Sequence, residues 1–224
     1  MHRNRAFFSH SFCGGKGIEI GALHHPTPLP PGAQVRYVDR LPVEGLRKQY
    51  PELAGEDLVP VHILDSGETL ATLPDGREDF AIAAQFIEHC QNPVRALVNM
   101  LRVVRPEGFV MLTVPDKRYS FDKDRPITTH EHLLDECLNG TEHTRRDHFR
   151  EWVLAQGERD EEQVEKSVDQ LMERDYSIHY HVWDSDAFLK FLFFAKERFG
   201  LPFELWASCR NGTELVTVLR KSVP

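Results

Sequence analysis

The stretch from Lys16 to Arg40, KGIEIGALHHPTPLPPGAQVRYVDR, decides how the chain is read. Gly17–Ile20 and Val35–Val38 are apolar runs of strand length, each followed by a glycine or an acid, as in the half-folds that bind nucleotides. Between them a parallel sheet normally carries a helix. Here stand Pro26, Pro28, Pro30 and Pro31, which remove backbone donors and exclude a helix of useful length. A dinucleotide is held by its pyrophosphate on the N–H groups of a glycine-rich turn that opens a helix. With neither GxGxxG nor helix, the stretch suits a ligand without a phosphate.

Working outward, apolar runs and helical periodicities alternate, the mark of a sheet flanked by helices. Pro42–Leu53 carries Val43, Leu46 and Tyr50 at helical spacing, Val59–Leu64 reads as a third strand and Phe80–Ala84 as a fourth. Asn92 and Pro93 open a helix with Val94, Leu97, Leu101 and Val104 on one face, ended by Pro106 and Gly108. Phe109–Val114 is a fifth strand. From about Asp116 to Ser177 charge and histidine crowd in, and narrow stripes such as Val164, Val168, Leu171 and Met172 predict a mostly helical insert. An apolar helix capped by Asp184 or Ser185 and closed by Gly200 follows. Two strands around Asn211-Gly212 then form a hairpin.

The expected fold is α/β: a Rossmann-like, doubly wound, mostly parallel sheet ending in an antiparallel β-hairpin, with a helical insert. The core is assigned to 1–125 and 178–224, and the insert, a lid forming part of an acceptor pocket, to 126–177. The chain has 224 residues and a net charge of −8, which argues against general nucleic-acid binding. No run is long enough for a membrane span and no signal-peptide pattern is seen. Four scattered cysteines without a CxxC pair point to a reduced, cytoplasmic protein without structural zinc.

This order of elements resembles the class I S-adenosylmethionine (SAM)-dependent methyltransferases. GIEIGA resembles the family's first motif, which implies cofactor contacts at Glu19, Gly21 and Ala22. VRYVD resembles the second, whose terminal acid, here Asp39, takes the ribose hydroxyls; Asp39 also has the offset from Gly21 that this role requires. HILD places Asp65 where the family often holds the adenine amino group. DFAIAAQFIEHCQNP resembles the fourth-strand motif and brings Gln85 and Phe86 beside the cofactor. GALHHP, VPDKRYSFDKDRP, EHLL and IHYHVW extend the likeness to a bacterial, methyltransferase type 11-like subgroup. The resemblance implies SAM as cofactor, whose cationic sulfonium and phosphate-free skeleton explain why the proline-rich stretch can dispense with a helix. The second and third motif glycines are absent, and His24 and His25 stand there instead.

The acceptor is expected to be a polar small molecule or a glycan, with oxygen slightly favoured over nitrogen. Methyl transfer is an in-line displacement from a good leaving group. The protein must align the nucleophile and, for a hydroxyl, accept its proton. His132, His148 and His181 are candidate general bases, and Asp116, just past the fifth strand, is their rival. Six of twelve histidines lie between His130 and His181. His130 and His132 point apart on a helix begun by Thr129, which leaves His179 and His181, if extended, as the better metal pair. Satisfied histidines and no metal are the expectation. In KRYSFDKDRP, the residues Arg118, Asp122, Asp124 and Arg125 are either a self-paired loop or an orienting patch for substrate. Trp152 and Trp183 read as buried lid contacts more than as sugar platforms. Two other readings stay open: an NAD(P)-dependent oxidoreductase on a similar sheet, and a SAM-fold subunit without turnover. Oligomeric state is left open.

Overall fold

The apolar runs of the sequence become a seven-stranded sheet in the order β3-β2-β1-β4-β5-β7-β6. The computed structural model describes residues 3–223. The strands are β1 Lys16–Ile20, β2 Gln34–Asp39, β3 Ile63–Leu64, β4 Glu78–Ala84, β5 Val104–Pro115, β6 Phe203–Asn211 and β7 Glu214–Lys221. β1 to β5 pair in parallel, whereas β7 runs antiparallel between β5 and β6. The chain therefore reverses its lateral direction between β1 and β4, and their C-terminal ends form the crevice where open α/β sheets bind ligands.

The helices are α1 Arg3–Phe12, α2 Val43–Gln49, α3 Pro93–Val103, α4 His130–Asn139, α5 Glu142–Ala155, α6 Glu161–Glu173 and α7 Ser185–Phe199. Their ends follow the expected chemistry. The Asn92 carboxamide accepts from Arg95 N–H, Asp184 caps α7, and Gly200 ends α7 in the left-handed region at φ 65°. No helix joins β1 to β2. Instead the 21–33 loop is drawn back on β1 by Glu19, whose two oxygens accept from Thr27 N–H at 2.9 and 3.2 Å.

α3 and α7 cover one face of the sheet. Leu97, Met100, Phe188 and Phe191 are fully enclosed there against Ile18, Ala81 and Leu112. The insert adds a satellite core of Phe149, Val153, Val164, Val168, Ile178 and Tyr180. Three differences from the sequence reading have plain causes. The third strand is two residues long, because Val59 N–H bonds Leu23 and His62 N–H bonds Tyr37 outside regular pairing, with Pro60 between them. The fifth strand starts at Val104, since Glu78 already pairs with Val104 before the bulge at Gly108. Finally α1, which has no clear apolar face, packs on the hairpin through Phe8 and a buried Arg5–Glu214 ion pair at 2.5 Å.

Candidate active site

A cavity of about 820 Å³ opens over the C-terminal ends of β1, β2 and β4. Its core side is lined by Gly21, Asp39, Ser66, Gly67, Gln85 and Phe86. Gly21 has φ +64° and Gly67 leaves no room for a side chain: a Cβ there would lie 2.4 Å from the Phe86 ring and 2.5 Å from Ile20. Gly21 thus supplies the left-handed turn after β1, and Gly67 lets its backbone pack on Phe86 and Ile20 at the cavity floor. Asp39 ends β2 at the cavity, held by Arg40 N–H at 2.7 Å, and burial raises its carboxyl above the usual range.

Gln85 sits at φ +53°, a strained conformation for a residue with a side chain. Two bonds hold it there. Its N–H donates to Thr113 O at 2.9 Å and its carboxamide donates to Glu214 at 2.8 Å. Glu214 also accepts from Arg5 and Asn211, so the α1–hairpin contact fixes a residue of the cavity floor. Sequence reasoning missed this support, because residues 5, 85 and 214 share no local pattern.

The other side of the cavity belongs to α2 and the insert. Tyr50, Glu52, Asp175, Tyr176 and Ser177 line one wall, and Gln91, Asn92, Arg95, Glu136, Thr141 and Glu142 line another. Arg40 and Gln49 donate to the backbone of Asp175, and Tyr176 donates to Glu52 at 3.1 Å, tying the end of the insert over the crevice. His89 lies on this side as well. Its Nδ1 faces Ile178 O at 2.9 Å, so the tautomer that donates there carries its lone pair on Nε2. Burial pushes His89 down to about 3, which keeps it neutral. In the sequence its only signal is the IEH turn after the fourth strand, which carries no spacing typical of a site.

Several expected site residues stand elsewhere. Asp65 lies outside the lining: both the N–H and the hydroxyl of Thr72 donate to it at 2.7 Å, so it anchors its own turn. Glu19 and Ala22 are buried outside the lining, and Glu19 holds the first loop to β1 through Thr27. Asp116 is buried and accepts from Arg118 and Ser185, both main chain and side chain. The Arg118 guanidinium holds it far below the usual carboxylate range, and it does not line the cavity. It ties β5 to α7, and both its oxygens are taken up by Arg118 and Ser185. The KRYSFDKDRP patch is self-paired. Arg125 is buried, donates to Asp122 at 2.8 Å and reaches His179 O and Tyr180 O.

The three candidate bases, His132, His148 and His181, are not independent. All converge on Glu136, whose carboxylate also accepts from Thr144 at 2.6 Å. Burial opposes ionisation of Glu136, but His132 and His148 more than offset it and hold the carboxyl well below its ordinary value. Burial pushes His181 down to about 3. Among these four only Glu136 lines the cavity. The expected pairing of His179 with His181 does not occur. Ring 179 bonds Asp122 at 2.6 Å beside His89, whereas ring 181 faces the opposite cluster, because the segment is irregular and bends at 181 where a strand would place both rings on one face.

Residues 20–112 match the model of a family described as a methyltransferase domain. No curated protein matches the chain. Among solved structures, a Rhodobacter sphaeroides protein described as a candidate Zn-dependent alcohol dehydrogenase shares 18% identity over 98% of this chain and 89% of its own, with a TM-score of 0.56. A Thermotoga maritima protein described as a SAM-dependent methyltransferase shares 17% identity over 98% and 94%, with a TM-score of 0.49. The CurJ carbon methyltransferase shares 13% over 94% of this chain, which spans only 49% of that protein, with a TM-score of 0.47.

Proposed function

We propose that this chain, a class I SAM-dependent methyltransferase by its core, methylates a polar small molecule or glycan, preferentially at oxygen. The observation that carries the reading is the two-sided cavity: glycines and a strand-end acid on one wall, and tyrosines, carboxylates and amides on the other. Asp39 would hold the ribose hydroxyls, Gly21 and Gly67 would admit the cofactor backbone, and Gln85 and Phe86 would flank it. When bound, SAM supplies an electrophilic methyl group on a cationic sulfonium.

The acceptor wall fits a polyhydroxylated molecule, since Tyr50 and Tyr176 offer ring faces while Glu52, Asp175 and Gln91 offer hydrogen-bond acceptors. A hydroxyl that attacks a methyl sulfonium becomes strongly acidic as the C–O bond forms. A weak base is then enough to take its proton. His89, kept neutral by burial and lining the cavity, is assigned that role in place of His132, His148, His181 and Asp116.

The oxidoreductase reading is disfavoured by the helix-free first crossover, which leaves no N-terminus for a pyrophosphate. The compartment is read as reducing because all four cysteines are free, and no described helix is long and apolar enough to cross a membrane. Incubation with SAM and panels of sugars, sugar phosphates, phenols and amines, with S-adenosylhomocysteine as readout, tests the function. Product with a hydroxylated acceptor but not with its deoxy analogue supports it. Turnover with amines alone contradicts the oxygen preference.

A further inference from the structure

We propose that His132, Glu136, His148 and His181 bind one divalent transition-metal ion, zinc by its fit, and that this ion fastens the insert to the core behind the acceptor wall. The donor atoms come from three elements: His132 and Glu136 from consecutive turns of α4, His148 from α5 and His181 from the segment before α7. Residues i and i+4 share one helix face, so the first pair is presented together.

The spacing argues for an ion and against ordinary hydrogen bonding. His132 Nε2 and His148 Nε2 are 3.1 Å apart, and each lies within hydrogen-bond range of the same oxygen, Glu136 Oε1, at 3.1 and 2.9 Å. Three donor atoms thus form a nearly equilateral triangle. If both imidazoles donated into Oε1, their two N–H groups would converge at about 60°, far from the carboxylate's lone-pair separation. If only one donated, the lone pair of the other would press on the acceptor-only carboxylate oxygen within about 3 Å. A zinc ion bound at about 2.0–2.1 Å in tetrahedral geometry sets its ligands about 3.3 Å apart, close to these edges. The fourth ligand is His181, whose Nε2 stands 3.5 Å from Glu136 Oε2 and 3.2 Å from Gln91 O, and the four ligand atoms lie within 4.8 Å of one another.

The surroundings supply the rest of a site. Thr144 donates to the ligating carboxylate and orients it. Glu136 Oε2 is buried without a hydrogen-bond partner, an expense that coordination of the cluster would justify. Glu136 lines the cavity, which gives the ion a path in. Three imidazoles and a carboxylate suit zinc, with cobalt or nickel as substitutes, and oppose calcium or magnesium. Four protein ligands close the coordination shell, so the ion is structural: it ties α4, α5 and residues 178–183 together where the satellite core is small. The inference does not depend on what the cavity binds.

The test uses the full, untagged chain. Metal content is measured by plasma mass spectrometry as purified, after dialysis against a chelator, and after addition of zinc sulfate or cobalt chloride. The expected result is one zinc per chain, lost to the chelator. Re-addition at roughly a thousandfold excess over Kd should raise Tm by about 8–16 °C, and cobalt should give the intense visible bands of a tetrahedral site. Glu136→Gln and His148→Ala should each weaken zinc binding at least ~10-fold, whereas His143→Ala, an exposed histidine outside the cluster, should bind as the parent does. Should either ligand variant fail to fold, the cobalt spectrum and stoichiometry of the parent decide. A metal-free parent whose Tm ignores zinc overturns the proposal. So does a ligand variant that binds zinc as tightly as the parent.

Discussion

The two walls of the cavity are built by different physics. The core wall is carried by strands whose neighbours are fixed by apolar burial, with Ile18, Ile20, Ala81 and Ala83 all essentially inaccessible beneath it. Its polar residues Asp39 and Gln85 stand at strand ends and line the cavity. The insert wall has a small apolar core and is fastened by buried polar contacts: Arg125 with Asp122, Tyr180 and His181 N–H on Glu88 O, and three histidines on Glu136. One wall tolerates loss of a ligand-facing polar group without loss of fold. The other depends on its polar groups for structure itself.

That contrast can be broken most directly at Arg125. Arg125→Met takes the guanidinium from the buried Asp122 carboxylate and leaves it His179 as its only possible cation, which should cost about 3–5 kcal/mol of stability in urea unfolding. A loss below about 1 kcal/mol would mean the insert is held by its apolar contacts after all. On the core wall, Asp39→Ala should leave Tm nearly unchanged and weaken S-adenosylhomocysteine binding by roughly 30- to 1,000-fold, about 2–4 kcal/mol for its charge-assisted hydrogen bonds. Calorimetry on the folded variant measures this.

His89 sharpens the comparison through pH. Burial lowers it from 6.5 to about 3, so between those values the unfolded chain binds a proton that the native chain refuses. Its contribution is complete above about 6.5 and is lost as pH falls towards 3, at a slope of up to about 1.4 kcal/mol per unit. His89→Gln should flatten that limb of the stability profile. An unchanged slope would show that other groups govern acid unfolding. The smallest effect belongs to Arg40→Ala. Its pair with Asp175 is largely exposed, so the change should cost less than about 1 kcal/mol while raising KM for the acceptor.

What was legible in the sequence follows the same division. Strands, caps and the final hairpin were readable because they are fixed by residues close in sequence, as Asn92 and Arg95 or Asn211 and Glu214 are. Asp39 and Gln85 were readable because a strand end locates them. The third strand is shorter than its apolar run, since only Ile63 and Leu64 pair regularly with β2 while Val59 bonds the loop at Leu23 and Pro60 has no donor to give. α1 was missed because it is specified by the hairpin 200 residues away through Arg5 and Glu214. The histidine cluster is half visible in the sequence: His132 and Glu136 show the i, i+4 spacing of one helix face. His148 and His181 join only through tertiary packing. Asp65 and Asp116 have the right positions for ligand contacts, but their partners Thr72 and Arg118 occupy them.

The central claim is that the helix-free first crossover builds a site for a phosphate-free nucleoside. Calorimetric titration of the parent and of Asp39→Ala with S-adenosylhomocysteine, alongside NADH, tests it most directly. The account predicts one site per chain of micromolar order for S-adenosylhomocysteine on the parent, little on the variant, and no heat with NADH. Binding of NADH, or equal affinity of S-adenosylhomocysteine for parent and variant, would contradict it.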